Sequence, residues 1–136
     1  MSYARQMLGS YPSDFKLDAD AEVLAEVIEA AVDCAQACDA DTDADLGEPE
    51  LAEMVACIHL CQDCADICRV VAAVLSRPST WDLHVVRPLL EACAGICRSC
   101  GGECRRHAPR HAHCRVCAEA CRRCEEACGK FLMTTK

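Results

Sequence analysis

The sequence predicts an all-α protein, an antiparallel up-down-up-down four-helix bundle with a cysteine-lined core. Fifteen of the 136 residues are cysteines, and within each run they recur at steps of three or four, which keeps side chains on one face of a helix. The chain is rich in alanine and lacks the alternation of β-branched residues typical of strands. Short segments separate the predicted helices, which favours antiparallel neighbours. Residues 1–17 are the predicted N-terminal lead-in, and residues 18–136 the bundle domain.

The first two long helices are bounded by a capping residue and a proline. Asp18 is the predicted N-cap of the first helix, because aspartate accepts hydrogen bonds from the first backbone N–H groups of a helix. This helix runs to about Thr42. The second helix begins near Pro49, since proline is favoured at a first helical position, and it ends near Leu75.

The third helix contains an internal proline. It begins near Thr80 or Leu83, and it ends around His107. Pro88 either bends this helix or marks its true start, because proline lacks the N–H that a helix interior requires.

The fourth helix opens at Pro109 and runs to about Met133. The preceding helix carries an adjacent pair of glycines, Gly101 and Gly102, which lower its stability. The sequence pattern offers no reason for this pair.

Each predicted helix carries one stripe of cysteines. In chain order the stripes are Cys34 and Cys38; Cys57, Cys61, Cys64 and Cys68; Cys93, Cys97, Cys100 and Cys104; and Cys114, Cys117, Cys121, Cys124 and Cys128. A core built of such small side chains packs poorly. Thiolates, however, are preferred ligands of soft metal ions, so the pattern indicates a metal container.

The same helical steps, continued beyond the cysteines, predict that the two ends of the core differ. The apolar continuations meet at one end, and they are Leu24, Val27, Val71, Leu75, Val86, Leu90 and Phe131. The opposite end receives Asp41, Met54, His107, His111 and His113. We interpret the Met54 thioether and the three imidazoles as further candidate metal ligands, through which metal reaches the thiols.

The cysteines are not expected to form disulfides. Their number is odd, and they lie on helix faces rather than in the irregular segments of a small secreted scaffold. The first residues lack the apolar segment of a secretory signal, and the longest apolar run, residues 70–75, is too short to cross a bilayer. We therefore expect a cytoplasmic protein with reduced thiols and no membrane partner.

Charge is distributed unevenly along the chain. The net charge is −8; residues 1–60 contain 14 acidic and 2 basic residues, whereas residues 61–136 contain 8 acidic and 12 basic ones. The overall acidity argues against nucleic acid as a partner. The basic residues of the second half are expected to complement the acidic first half within the fold.

Copper(I) fits this cysteine pattern better than zinc does. Pairs such as Cys61 and Cys64 match zinc half-sites, but here they merge into continuous ladders. Four zinc ions on fifteen thiolates would leave a buried charge of about −7, whereas one cuprous ion per thiolate leaves almost none. A zinc or iron–sulfur thiolate reservoir and a thiol redox enzyme remain the alternatives. No single cysteine is set apart as a catalytic thiol, so we expect no enzymatic activity.

The blocks CIHLCQDCADIC, CAGICRSCGGEC and CRVCAEACRRCEEAC, with histidines at the last helical turn, resemble the cytosolic copper storage proteins of bacteria. The resemblance covers about Asp18 to Met133. It implies a homotetramer of four-helix bundles, each holding multiple Cu(I) ions in its core. A copper chaperone or a low-molecular-weight thiol is the expected copper donor. Since the first helix carries only two cysteines, we expect a lower capacity at the apolar end.

Overall fold

The computed structural model describes residues 2–135, and it is helical with no strand in that part of the chain. The α-helices are α1 (Ala4–Gly9), α2 (Ala21–Leu46), α3 (Val55–Leu75), α4 (Leu83–His107) and α5 (Ala112–Thr134), and 3-10 turns occur at Leu51–Met54 and Pro78–Thr80. The expected all-α class is confirmed. Within residues 2–135, no helix has both the length and the hydropathy needed to span a bilayer.

Helix α2 begins two residues later and ends four residues later than the sequence predicted. Asp20, not Asp18, is the N-cap, and its carboxylate accepts hydrogen bonds from the backbone N–H groups of Glu22 and Val23. The helix continues past Thr42 to Leu46. The added turn contains Asp45, which is buried and continues the face of Cys38 and Asp41.

The predicted proline starts of two helices are wrong. Pro49 lies in the turn before the 3-10 segment, and α3 begins only at Val55. Pro109 lies in the turn after α4, and α5 begins after His111, which is its N-cap residue. Pro88 lies in the second turn of α4, which is continuous around it.

The long helices pack in a ring in which α2 and α4 each contact both α3 and α5. Sulfur contacts between α3 and α4 run in opposite directions along the two helices: Cys57 lies against Cys104, and Cys68 lies against Cys93. The short helix α1 packs outside the ring on α2. Arg5 of α1 pairs there with Glu22 and Glu29.

The apolar end of the core is buried, as the sequence predicted. All seven predicted residues at this end are no more than 1% exposed. Trp81 covers Phe131 edge-on, with ring centroids 5.8 Å apart at 81°. The Trp81 indole N–H donates to the Val74 carbonyl at 3.1 Å, so the polar edge of this ring is satisfied.

The structure explains one glycine of the pair in α4. A Cβ at Gly101 would lie 3.2 Å from the Cβ of Cys121, closer than ordinary packing allows. Glycine at this position therefore lets α4 and α5 approach each other at the level of the cysteines. At Gly102 the nearest atom to an added Cβ would be an Arg105 guanidinium nitrogen at 3.9 Å, so packing does not require glycine there.

Candidate metal centre

The fifteen cysteines form one continuous thiol core. All are free and buried. Neighbouring Sγ atoms on different helices lie at van der Waals separations: 3.6 Å for Cys38 and Cys117, 3.7 Å for Cys57 and Cys104, and 3.8 Å for Cys34 and Cys64. A disulfide would need about 2.05 Å. The sulfurs are therefore close enough to share metal ions without being bonded to one another.

Several sets of donors in the core could each hold a metal ion, and some residues belong to two sets. The all-cysteine sets include Cys34, Cys68, Cys97 and Cys124; Cys34, Cys38, Cys64 and Cys121; Cys38, Cys61, Cys100 and Cys117; and Cys93, Cys124 and Cys128. A further set joins Asp41 to Cys57, Cys61 and Cys104, and in every set the donor atoms lie within 4.8 Å of one another. This sharing is the arrangement required for sulfur-bridged metal ions rather than for isolated tetrahedral sites.

Two thiols of α5, Cys114 and Cys128, are favoured in their neutral form. Hydrogen bonds with Cys124 and Cys93, followed by burial, raise the pKa of the Cys128 thiol. Burial is the main cause that raises the pKa of Cys114 at the other end of α5. A metal ion that binds here as thiolate complex must displace these protons, so metal binding and proton release are coupled.

We call the polar end of the core the mouth. Its residues lie on the last turns of α2, the start of α3, the end of α4 and the start of α5, and they are Asp41, Asp45, Met54, His107, His111 and His113. Met54 is wholly buried and belongs to the same packed core as the cysteines. The structure thus brings the predicted methionine and all three predicted histidines to one end.

Two of the histidines are almost fully buried. His107 is 5% exposed; its Nε2 lies 2.9 Å from a carboxylate oxygen of Glu103, and its Nδ1 has no hydrogen-bond partner among residues 2–135. His111 is 8% exposed and lies between the carboxylates of Glu48 and Glu50, at 3.1 and 3.2 Å. A buried, unpaired imidazole nitrogen such as Nδ1 of His107 is suited to accept a soft ion.

His113 links the mouth to the thiol core. Its Nδ1 lies 2.5 Å from Oδ1 of Asp41 and 3.6 Å from Sγ of Cys114, while its Nε2 lies 2.7 Å from Glu48. Burial lowers the pKa of His113, but the hydrogen bonds with Asp41 and Glu48 outweigh it and the pKa is raised. The imidazole is therefore held in place by a carboxylate at each ring nitrogen.

Two buried aspartates complete the mouth. Oδ2 of Asp41 lies 3.4 Å from Sγ of Cys61 and 3.5 Å from Sγ of Cys104, and burial raises the pKa of this carboxyl group. Asp45 is 0% exposed, with Oδ1 3.6 Å from Sγ of Cys114, and burial raises its pKa to about 8. The sequence interpretation placed Asp41 at this end without giving it a ligand role, and it ended the first long helix at about Thr42, before Asp45. One sequence signal could have indicated that Asp45 is buried: it follows Asp41 by four residues and so continues the helix face of Cys38.

Comparisons with known proteins agree with this geometry. A family model described as copper storage protein matches residues 20–133. An uncharacterized cysteine-rich protein of Bacillus subtilis, YhjQ, is 38% identical over 72 residues, which are 53% of this chain and 61% of that protein. The chain thus matches less than two thirds of that relative's length.

Solved structures of copper storage proteins share the fold. The Streptomyces lividans protein loaded with 10 copper equivalents superposes with a TM-score of 0.92 at 50% identity, covering 96% of this chain and 98% of that one; the same protein with five coppers is described as cytosolic. Cu(I)-bound BsCsp3, from Bacillus subtilis, gives a TM-score of 0.70 at 35% identity, covering 78% and 94%. With a matching family model, a common fold and a buried core of thiols, this chain belongs to the copper storage protein family.

Proposed function

We propose that this protein stores and sequesters Cu(I) in the cytosol, with the fifteen core cysteines as its principal ligands. The observation that carries this proposal is the continuous thiol core, in which sulfurs of different helices lie in contact and some belong to more than one donor set. One monovalent ion per thiolate keeps such an interior neutral, whereas fewer divalent ions leave a costly excess charge. This role is storage, and no single thiol is set apart for catalysis.

We infer that α2 to α5 form an antiparallel up-down-up-down bundle. The reversed order of sulfur contacts supports this topology, since Cys34 meets Cys121 while Cys38 meets Cys117 on α5. The topology matters for function because it gathers the polar helix ends, and thus the candidate histidine ligands, at the mouth.

Copper is expected to enter through the mouth. Nδ1 of His107 has no hydrogen-bond partner within the described part of the chain, and His113 contacts Cys114, so imidazoles at the surface of the core can pass a soft ion to thiols. The Met54 thioether is a further soft donor at the same end. We expect a copper chaperone or a low-molecular-weight thiol to deliver the ion there.

The bundle is expected to assemble into a homotetramer. Outward-facing apolar residues of α3, such as Val55 and Val70, do not pack in the core and are 46% and 50% exposed. Exposed apolar surface of this kind is typical of subunit contacts. Light scattering of the reduced protein tests this expectation, and a strictly monomeric mass contradicts it.

Anaerobic titration with Cu(I) in the presence of a competing chelator tests the storage function. Binding should saturate near or somewhat above fifteen equivalents per chain, the number of cysteines. Saturation at about four equivalents would instead support tetrahedral sites of the zinc type. A parallel zinc titration of the same protein provides the comparison, since zinc should saturate at a far lower number.

A further inference from the structure

We propose that the mouth also contains a tetrahedral site for one divalent cation of the zinc class, formed by His113, Cys114, Asp41 and Asp45. The donor atoms are Nδ1 of His113, Sγ of Cys114 and one carboxylate oxygen of each aspartate. This mixed nitrogen, sulfur and oxygen set differs in chemistry from the all-thiol sets deeper in the core.

Three of the separations between these donors are those of a tetrahedral site. With zinc–ligand distances of about 2.0–2.3 Å, tetrahedral donors lie roughly 3.3–3.7 Å apart. Nδ1 of His113 lies 3.5 Å from Oδ1 of Asp45 and 3.6 Å from Sγ of Cys114, and that sulfur lies 3.6 Å from the same Asp45 oxygen. The 2.5 Å hydrogen bond between His113 and Asp41 must lengthen, by roughly 1 Å, when a cation replaces its proton.

Glu48 holds His113 in the orientation that a metal ligand requires. Its carboxylate lies 2.7 Å from Nε2, the ring nitrogen opposite the proposed ligand atom. Metal-binding histidines characteristically donate their second N–H to a carboxylate, which fixes the ring and makes the ligating nitrogen more basic. Glu48 lies outside the donor set and acts as a positioning residue.

Asp45 supplies an independent indication that a ligand belongs here. It is fully buried on α2, and its Oδ2 has no hydrogen-bond partner among residues 2–135. A buried carboxyl oxygen without a partner is costly. A cation beside Asp45 would compensate it.

The donor set favours a divalent ion over Cu(I). Cuprous ions prefer sulfur and imidazole, whereas two carboxylate oxygens suit harder, divalent cations. Once deprotonated, the two carboxyl groups place two negative charges in a buried position, and a dication offsets them better than a monovalent ion does. Because Cys114 and His113 lie on the route proposed for copper, an ion bound at this site should slow the first phase of Cu(I) uptake without lowering the final capacity.

Zinc X-ray absorption of the reduced, copper-free protein with less than one equivalent of zinc tests the site. We expect a first shell dominated by nitrogen and oxygen with a single sulfur, and no sulfur in the Cys114→Ser variant. A shell made only of sulfur in the unaltered protein would mean that zinc enters the thiol core, and this result would overturn the proposal.

Matched variants on α2 provide the second measurement. Asp45→Asn should weaken the first zinc-binding step by more than about tenfold, and Glu48→Gln should weaken it by about 10- to 100-fold. Asp43→Asn, on the same helix but exposed, should leave it unchanged. Equal zinc affinities for the Asp45 and Asp43 variants, both verified as helical by circular dichroism, would overturn the site. Copper capacity measured without zinc tests the storage function separately, so either proposal can fail alone.

Discussion

At the apolar end of the core the buried side chains are apolar ones such as Leu24 and Phe131, whereas at the mouth they include the carboxyl groups of Asp41 and Asp45. Burial of Phe131 and its neighbours stabilises the fold whether or not metal is present. The buried carboxyl groups of the mouth instead cost free energy unless protons or cations compensate them. In our proposal the bundle thus separates two tasks along its axis: one end holds the helices together, and the other exchanges ions with the surroundings.

The thiol core between these ends contributes less packing than an ordinary core does. Cysteine side chains are small, and their sulfurs stand at contact distance from one another with no larger side chain between them. We therefore expect the metal-free protein to be a helical bundle of modest stability that depends on the apolar end. A metal-free protein whose far-ultraviolet circular dichroism is that of a coil would contradict this.

The largest effect is expected at the apolar end. Phe131→Ala removes a fully buried ring that packs against Trp81, and it should lower the free energy of unfolding of the metal-free protein by about 3–5 kcal/mol. Denaturant unfolding under reducing conditions measures this. Met133→Ala, at a residue of the same helix that is 77% exposed, is the control and should have little effect. Equal stabilities of the two variants would show that this end does not hold the fold.

The next largest effect on stability is expected where α4 and α5 approach each other, between the apolar end and the mouth. Gly101→Ala places a methyl group 3.2 Å from the Cβ of Cys121, so α4 and α5 must separate, at a cost of about 1–3 kcal/mol. Gly102→Ala is the matched control and should instead stabilise α4 by about 0.5–1 kcal/mol, since alanine is the better helix former. Both free energies come from the same denaturant experiment. If the two variants shift stability in the same direction, close approach at Gly101 is not the reason for the glycine.

The mouth should control the rate of loading rather than the amount of copper held. The triple variant His107→Ala, His111→Ala and His113→Ala should slow Cu(I) uptake by about tenfold, equivalent to about 1.4 kcal/mol in the barrier, and leave most of the capacity intact. Stopped-flow absorbance of the developing copper–thiolate bands measures the rate. A His59→Ala and His84→Ala variant is the control, because both residues are exposed and lie off the cysteine stripes. Unchanged kinetics in the triple variant would make its histidines ordinary turn residues.

The periodicity of cysteine was sufficient to predict the helical class, the buried stripes and the apolar end, because a stripe spaced at three and four residues has one face to bury. Helix starts were harder to predict. Pro49 and Pro109 have the preference of a first helical residue, but that local preference is weak, and both lie in the turns that bring the helix ends together.

The polar side of the mouth was only partly predictable. Asp45 lies on the stripe, yet aspartate is so often a turn or surface residue that its burial could be recognised only once the neighbouring His113 and Cys114 were placed. The role of Gly101 likewise depends on a contact with another helix, which a pattern within one helix does not contain.

The smallest expected effect returns to the apolar end, where α2 begins. Asp20→Ala removes the carboxylate that accepts hydrogen bonds from Glu22 and Val23, and it should lower the free energy of unfolding by about 1 kcal/mol. Asp18→Ala should have almost no effect, because Asp18 is exposed and lies outside the helix. Since the cap lies far from the mouth, neither variant should change the rate of Cu(I) uptake. A larger loss of stability in Asp18→Ala than in Asp20→Ala would restore the N-cap that the sequence alone suggested, and an altered uptake rate would show that the two ends are coupled.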